Sequence, residues 1–70
     1  MHRNRVNSSS LSSIGYDRRS RVLEVEYGSG SVYRYRQVPA STYEQLMQAP
    51  SKGRFVNQFV REVYPFTRVN

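Results

Sequence analysis

Residues 22–38 form two alternating stretches around a glycine-rich break, and this pattern constrains the fold more than any other part of the chain. In Val22-Leu23-Glu24-Val25-Glu26-Tyr27, the side chains of Leu23, Val25 and Tyr27 fall on one side of a strand and both glutamates on the other. Gly28-Ser29-Gly30-Ser31 follows, where glycine supplies the positive φ that tight hairpin loops require. Val32-Tyr33-Arg34-Tyr35-Arg36-Gln37-Val38 alternates again, with tyrosines on one side and arginines on the other. Setting Tyr27 opposite Tyr33 brings Val25 to Tyr35, Glu26 to Arg34 and Glu24 to Arg36. Both sides then match chemically, whereas a slip of one residue puts Glu26 against Tyr33. The hairpin is expected to turn its aromatic side to a core and its charged side away.

The rest of the chain is expected to complete a small α+β domain. Residues 1–9 lack a hydrophobic period and read as a flexible basic arm. Leu11-Ser12-Ser13-Ile14-Gly15-Tyr16 is a first strand, broken by the charged turn Asp17-Arg18-Arg19-Ser20. Pro39 ends the third strand, and Ser41-Thr42-Tyr43-Glu44 fits a capping box opening a short helix over residues 42–48. Its inward side chains are expected to be Tyr43, Leu46 and Met47. Pro50 stops that helix and Ser51 caps a second, whose apolar stripe runs through Phe55, Val56, Phe59, Val60, Val63 and Tyr64 up to Pro65. The expected architecture is a three-stranded antiparallel β-meander with two C-terminal helices packed on one face. Residues 10–66 form the single domain and residues 67–70 a tail.

With 70 residues and no cysteine, the chain has neither disulfides nor thiolate metal sites to reinforce its core. Domains of this size bury only about 60% of their unfolded surface, so self-association is one expected source of stability. No apolar run is long enough to cross a bilayer, and the polar, basic N-terminus does not read as a secretory signal. A cytoplasmic location and no membrane contact are the expectation. Eleven Lys and Arg against five Asp and Glu give a net charge of +6. Such an excess suits nucleic-acid phosphate, and equally keeps a small protein soluble.

Catalytic equipment is not legible. His2 is the only histidine and lies in the arm, so neither a triad nor a histidine metal site has its materials. Glu24 and Glu26 each face an arginine, which disfavours a metal ion. Gly28-Ser29-Gly30 joins two antiparallel strands and opens no helix, so it is not a phosphate loop. The expectation is a non-enzyme with no catalytic residue, metal, cofactor or small-molecule substrate. Tyr33-Arg34-Tyr35-Arg36 resembles a base-stacking platform, but alternation separates its rings from its guanidinium groups. The candidate polyanion contacts are therefore Arg34 and Arg36 on the sheet, and Arg18, Arg19 and Arg21 in the turn with Arg3 and Arg5 upstream. Lys52, Arg54 and Arg61 form a third group on the last helix.

These residues resemble the KTSC domain, a family found at the C-terminus of certain lysyl-tRNA synthetases and as small stand-alone bacterial and phage proteins. The resemblance runs over roughly residues 6–64. It rests on Tyr33-Arg34-Tyr35 with Val38-Pro39, on Ser9-Ser10 with Ile14-Gly15-Tyr16-Asp17, and on Leu23 to Tyr27. Tyr43, Leu46, Ala49, Ser51, Gly53, Phe55, Asn57 and Tyr64 continue it, while Val56 departs from a position that is often aromatic. The resemblance implies no established activity. RNA binding is suggested for the family by its attachment to a synthetase. Tyr33, Tyr35, Gly53, Phe55 and Asn57 are expected to be structural. The function expected is a small binding module contacting RNA or another polyanion through arginines. The alternative is a protein-interaction or homodimerisation module without a nucleic-acid role.

Overall fold

A computed structural model describes residues 1–70. The chain runs β1 (Asn4–Arg5), β2 (Leu11–Asp17), β3 (Val22–Tyr27), β4 (Val32–Tyr35), α1 (Ala40–Gln48), α2 (Lys52–Phe59) and β5 (Phe66–Arg68). All five strands form one antiparallel sheet in the order β1-β2-β3-β4-β5. The α+β class is as expected, but the three-stranded meander gains a strand at each edge. Asn4 and Arg5, within the stretch read as an arm, pair with Ile14 and Ser13. Phe66 and Arg68 pair with Tyr35 and Tyr33. The C-terminus is held further by Asn70, whose side chain accepts from the Val32 amide at 2.8 Å and donates to the Gly30 carbonyl at 2.7 Å.

The central hairpin keeps the expected faces in a register two residues away from the expected one. Leu23 faces Tyr35, Glu24 faces Arg34, Val25 faces Tyr33 and Glu26 faces Val32. The cause is a shorter loop. Tyr27 donates its amide to the Ser31 carbonyl at 2.8 Å, and the Gly30 amide reaches the Tyr27 carbonyl at 2.9 Å. Only residues 28–30 remain outside the ladder, and Gly30 closes the turn at φ 96°. Because the shift is even, no side chain changes face. Arg36 loses the partnership with Glu24 that the longer loop implied, and donates instead to Thr67 Oγ1 at 2.8 Å.

Both helices cover the aromatic side. Leu46 from α1 and Val56 from α2, with Val60 at the α2 C-cap, pack against Leu11, Ile14, Leu23, Val25, Tyr35 and Val38 as one buried cluster. Each fully buried aliphatic side chain contributes about 1.5–3 kcal/mol, so this cluster is the main stabilising term. Ser51 caps α2 as expected, its Oγ accepting from the Arg54 amide at 3.3 Å. The capping box at Ser41 does not form. Pro39 occupies the N-cap without a side-chain cap, α1 begins at Ala40, and Glu44 pairs with Arg18. Proline suits a helix entry, since its fixed φ leads into the first turn. The second helix also stops sooner than its apolar stripe suggests. It ends at Phe59, leaving Phe59 52% and Val63 60% exposed.

Candidate polyanion-binding face

The face of the sheet away from the helices is organised around one buried carboxylate. Strand pairing lines up Gly15, Glu24, Arg34 and Thr67 across β2 to β5. Arg3, just ahead of β1, extends this row from the other edge. Its Nη1 donates to Glu24 Oε1 and its Nε to Ser13 Oγ at 2.9 Å. Arg34 Nε donates to Glu24 Oε2 at 2.5 Å. The Glu24 side chain is 2% exposed, against 29% for Arg3 and 49% for Arg34. Glu24 is thus roofed by two arginines, one on each of its carboxylate oxygens. Glu24 lies on the charged side that the sequence turns away from the core, yet it is buried there.

Burial pushes the Glu24 carboxyl up, but the hydrogen bonds from Arg34 and Arg3 outweigh it and hold the group below its ordinary range. Gly15 makes the roof possible. A Cβ there would meet the His2 carbonyl and lie 3.0 Å from Arg3 Cγ. Ser13 links the row to the next one by donating to Glu26 Oε1 at 2.8 Å. Arg5, paired with Ser13, and Arg36 flank the central row on the same face. Asp17 ends this face at the β2–β3 turn, where hydrogen bonds from the Ser20 side chain and the Arg19 amide lower its pKa.

The structure distributes the remaining candidate cations over the molecule. Arg18 bridges to Glu44 at 3.2 Å and lies 6.0 Å from the Tyr43 ring centroid, with Arg19 and Arg21 beside it in the turn. Arg21 adopts φ 61°, and its carbonyl accepts from the Val38 amide. Lys52 and Arg54 open α2, and Arg61 follows its end, donating to Asn57 at 3.2 Å. Of the contacts expected on the sheet, Arg34 and Arg36 both lie on its outer face. Arg3 and Arg5 join them there through β1. Sequence pattern had assigned Arg3 and Arg5 to the turn cluster, because a two-residue strand carries no period.

The tyrosines lie on the helix side. Tyr35 is 2% exposed and Tyr33 half-buried, so the interleaved Tyr-Arg-Tyr-Arg stretch is split between the two faces. Gly53 is buried with Ser10 against it, Phe55 packs on Phe59 with ring centroids 5.0 Å apart, and exposed Asn57 receives Arg61.

Fold and site together define a two-layer α+β domain, with one sheet face buried under two helices and the other patterned with arginine. A family model described as the KTSC domain matches residues 7–64, and the chain belongs to that family. It is 44% identical, over all of both chains, to an uncharacterised protein of Stutzerimonas stutzeri. A lysine–tRNA ligase of Nostoc punctiforme is 37% identical over 86% of this chain, which spans only 11% of that ligase. The crystal structure of a KTSC domain protein from Yersinia pestis superimposes with a TM-score of 0.95 at 33% identity, covering 99% of this chain and 97% of that one.

Proposed function

We propose that this protein is a non-catalytic binding module that contacts RNA electrostatically through the outer face of its sheet. The observation that carries the reading is the row in which Arg3 and Arg34 are pinned by buried Glu24 and flanked by Arg5 and Arg36. A guanidinium offers five N–H donors, so an arginine that gives one or two to Glu24 or Ser13 keeps others for phosphate. Sinking Glu24 beneath the face also leaves cationic groups uppermost. The similarity to part of a lysine–tRNA ligase is a further support.

The test is fluorescence anisotropy with a labelled single-stranded RNA at about 50–200 mM salt. Arg5→Gln and Arg36→Gln remove cations that do not touch Glu24. Each is expected to flatten the plot of log affinity against log salt by about 0.7. Absence of binding at the low-salt end, or equal loss on Arg19→Gln alone, refutes the sheet face as the contact. A second reading, association with a protein or a second copy, is supported by exposed Phe59, Val63 and Phe66. Sedimentation at high protein concentration tests its homodimer form, and a monomer there removes it.

A further inference from the structure

A separate cleft of about 340 Å³ opens on the helix side of the sheet, where α2 has ended and β5 has begun. Its floor is Tyr35, whose hydroxyl lies 2.7 Å from that of Tyr27. The Tyr33 ring stands at 88° to that of Tyr27, with centroids 5.6 Å apart. Phe66 closes the far side at 47° to Tyr33, also at 5.6 Å, and is 52% exposed. These spacings leave no room for a ring between Tyr33 and Phe66, but both present surface to the opening.

The polar lining has a consistent sense. Ser29 and Ser31 stand on the hairpin rim and Arg61 on the opposite one, and the lining contains no carboxylate. Two phenol groups that share one hydrogen bond leave one hydroxyl proton unused by the pair. Arg61 gives a single N–H to Asn57 and retains its other donors. An aromatic cage for a cation needs a neutral or acidic rim, and here the one formal charge is positive. From this we infer that the cleft is a binding site for a small planar aromatic anion, its ring against Tyr33 and Phe66 and its acidic group on Arg61. The volume lies at the small end of ligand pockets, so one ring system with a short acidic arm fills it. The inference departs from the sequence-based expectation of no small-molecule ligand, and it stands apart from the RNA reading, which uses the other face.

Titration of the full chain by amide NMR tests it with four probes: indole-3-propionate, adenosine 5′-monophosphate, neutral indole and cationic tryptamine. The two anions are expected to give saturable shifts at Ser29, Ser31, Arg61 and Phe66, and to bind more tightly than tryptamine. Preference between them identifies a carboxylate or a phosphate as the natural acidic group. Arg61→Gln lies on the surface and is expected to weaken both anions about tenfold while leaving indole unchanged. Phe66→Ala is expected to weaken all ring probes alike. Tryptamine binding as well as the anions, insensitivity of the anions to Arg61→Gln, or no saturable shift at the cleft overturns the inference. Arg5→Gln and Arg36→Gln should leave these titrations unchanged, so failure here and failure of the sheet-face reading are separable.

Discussion

Replacing Glu24 with glutamine tests the physical claim on which the outer face depends. The side chain is 2% exposed and accepts one charge-assisted hydrogen bond from Arg3 and one from Arg34. Such bonds contribute about 1.5–3 kcal/mol each, and breaking a buried pair outright costs about 3–5 kcal/mol. Glutamine keeps the shape and one accepting oxygen, and Arg34 is 49% exposed, so solvent compensates part of the loss. Glu24→Gln is therefore expected to lower stability by about 2–3 kcal/mol at neutral pH. In a domain of this size that lowers Tm by about 10–20 °C, readily followed by circular dichroism. The pH dependence has a definite sign. The folded-state pKa lies below the ordinary 4.5, so the stabilisation is present above that pH and is lost as pH falls through the lowered value. Parent and variant should converge in acid. A variant melting within about 3 °C of the parent at neutral pH, or a gap that persists unchanged in strong acid, refutes the clamp.

Glu44→Gln removes the exposed pair with Arg18 and is expected to change stability by less than about 0.5 kcal/mol in urea denaturation. Gly53→Ala places a methyl group 2.8 Å from Ser10 Cβ and Oγ, so despite the better helix propensity of alanine it should destabilise by about 1–3 kcal/mol. Ser10→Gly in the same chain should recover most of that loss, and no recovery would exclude the clash as the cause. Burial, then the hydrogen bond with Tyr27, raises the Tyr35 pKa above the ordinary 10.0. Its stabilisation is complete below that value and declines as pH rises past it, so the urea denaturation midpoint should fall as pH rises into alkali.

The faces of the sheet were legible in the sequence because strand side chains alternate strictly, and the alternation of Leu23 to Tyr27 and of Val32 to Arg36 survives any even shift of register. The register itself was not, because Gly28 to Ser31 permits several loop lengths and counting Glu–Arg pairs within the hairpin favours the longer loop, which offers two of them. The observed register keeps only the Glu24–Arg34 pair and sets Glu26 against Val32, and the second partner of Glu24 is Arg3, which comes from outside the hairpin. The outer strands were illegible for another reason. Asn4-Arg5 and Phe66-Thr67-Arg68 are too short to show a period, and their positions depend on Arg3 reaching Glu24 and Asn70 reaching the hairpin loop. Helix length misled where composition outran geometry. The stripe through Val63 continues at helical spacing, yet the chain leaves α2 at Phe59 to return along β4 as β5. That early exit opens the aromatic cleft, so the cleft was as hidden in the sequence as β5 was.

The carboxylate that holds the outer face together also limits its electrostatic reach, and this gives the RNA reading its sharpest test. While Glu24 is ionised, it neutralises part of the charge that Arg3 and Arg34 carry. If both guanidinium groups contact phosphate, Glu24→Gln should steepen the salt dependence of RNA binding by about 0.7 in slope, since one more counterion is released from the single strand. The measurement belongs at low temperature, where the destabilised variant remains folded. Loss of fixed geometry acts on the affinity at every salt concentration, because ordering a long side chain costs about 0.5–1.5 kcal/mol whatever the ionic strength. Slope and intercept therefore report different properties of the same two arginines. An unchanged slope would mean that Arg3 and Arg34 serve only the fold, leaving Arg5 and Arg36 as the contacts on this face.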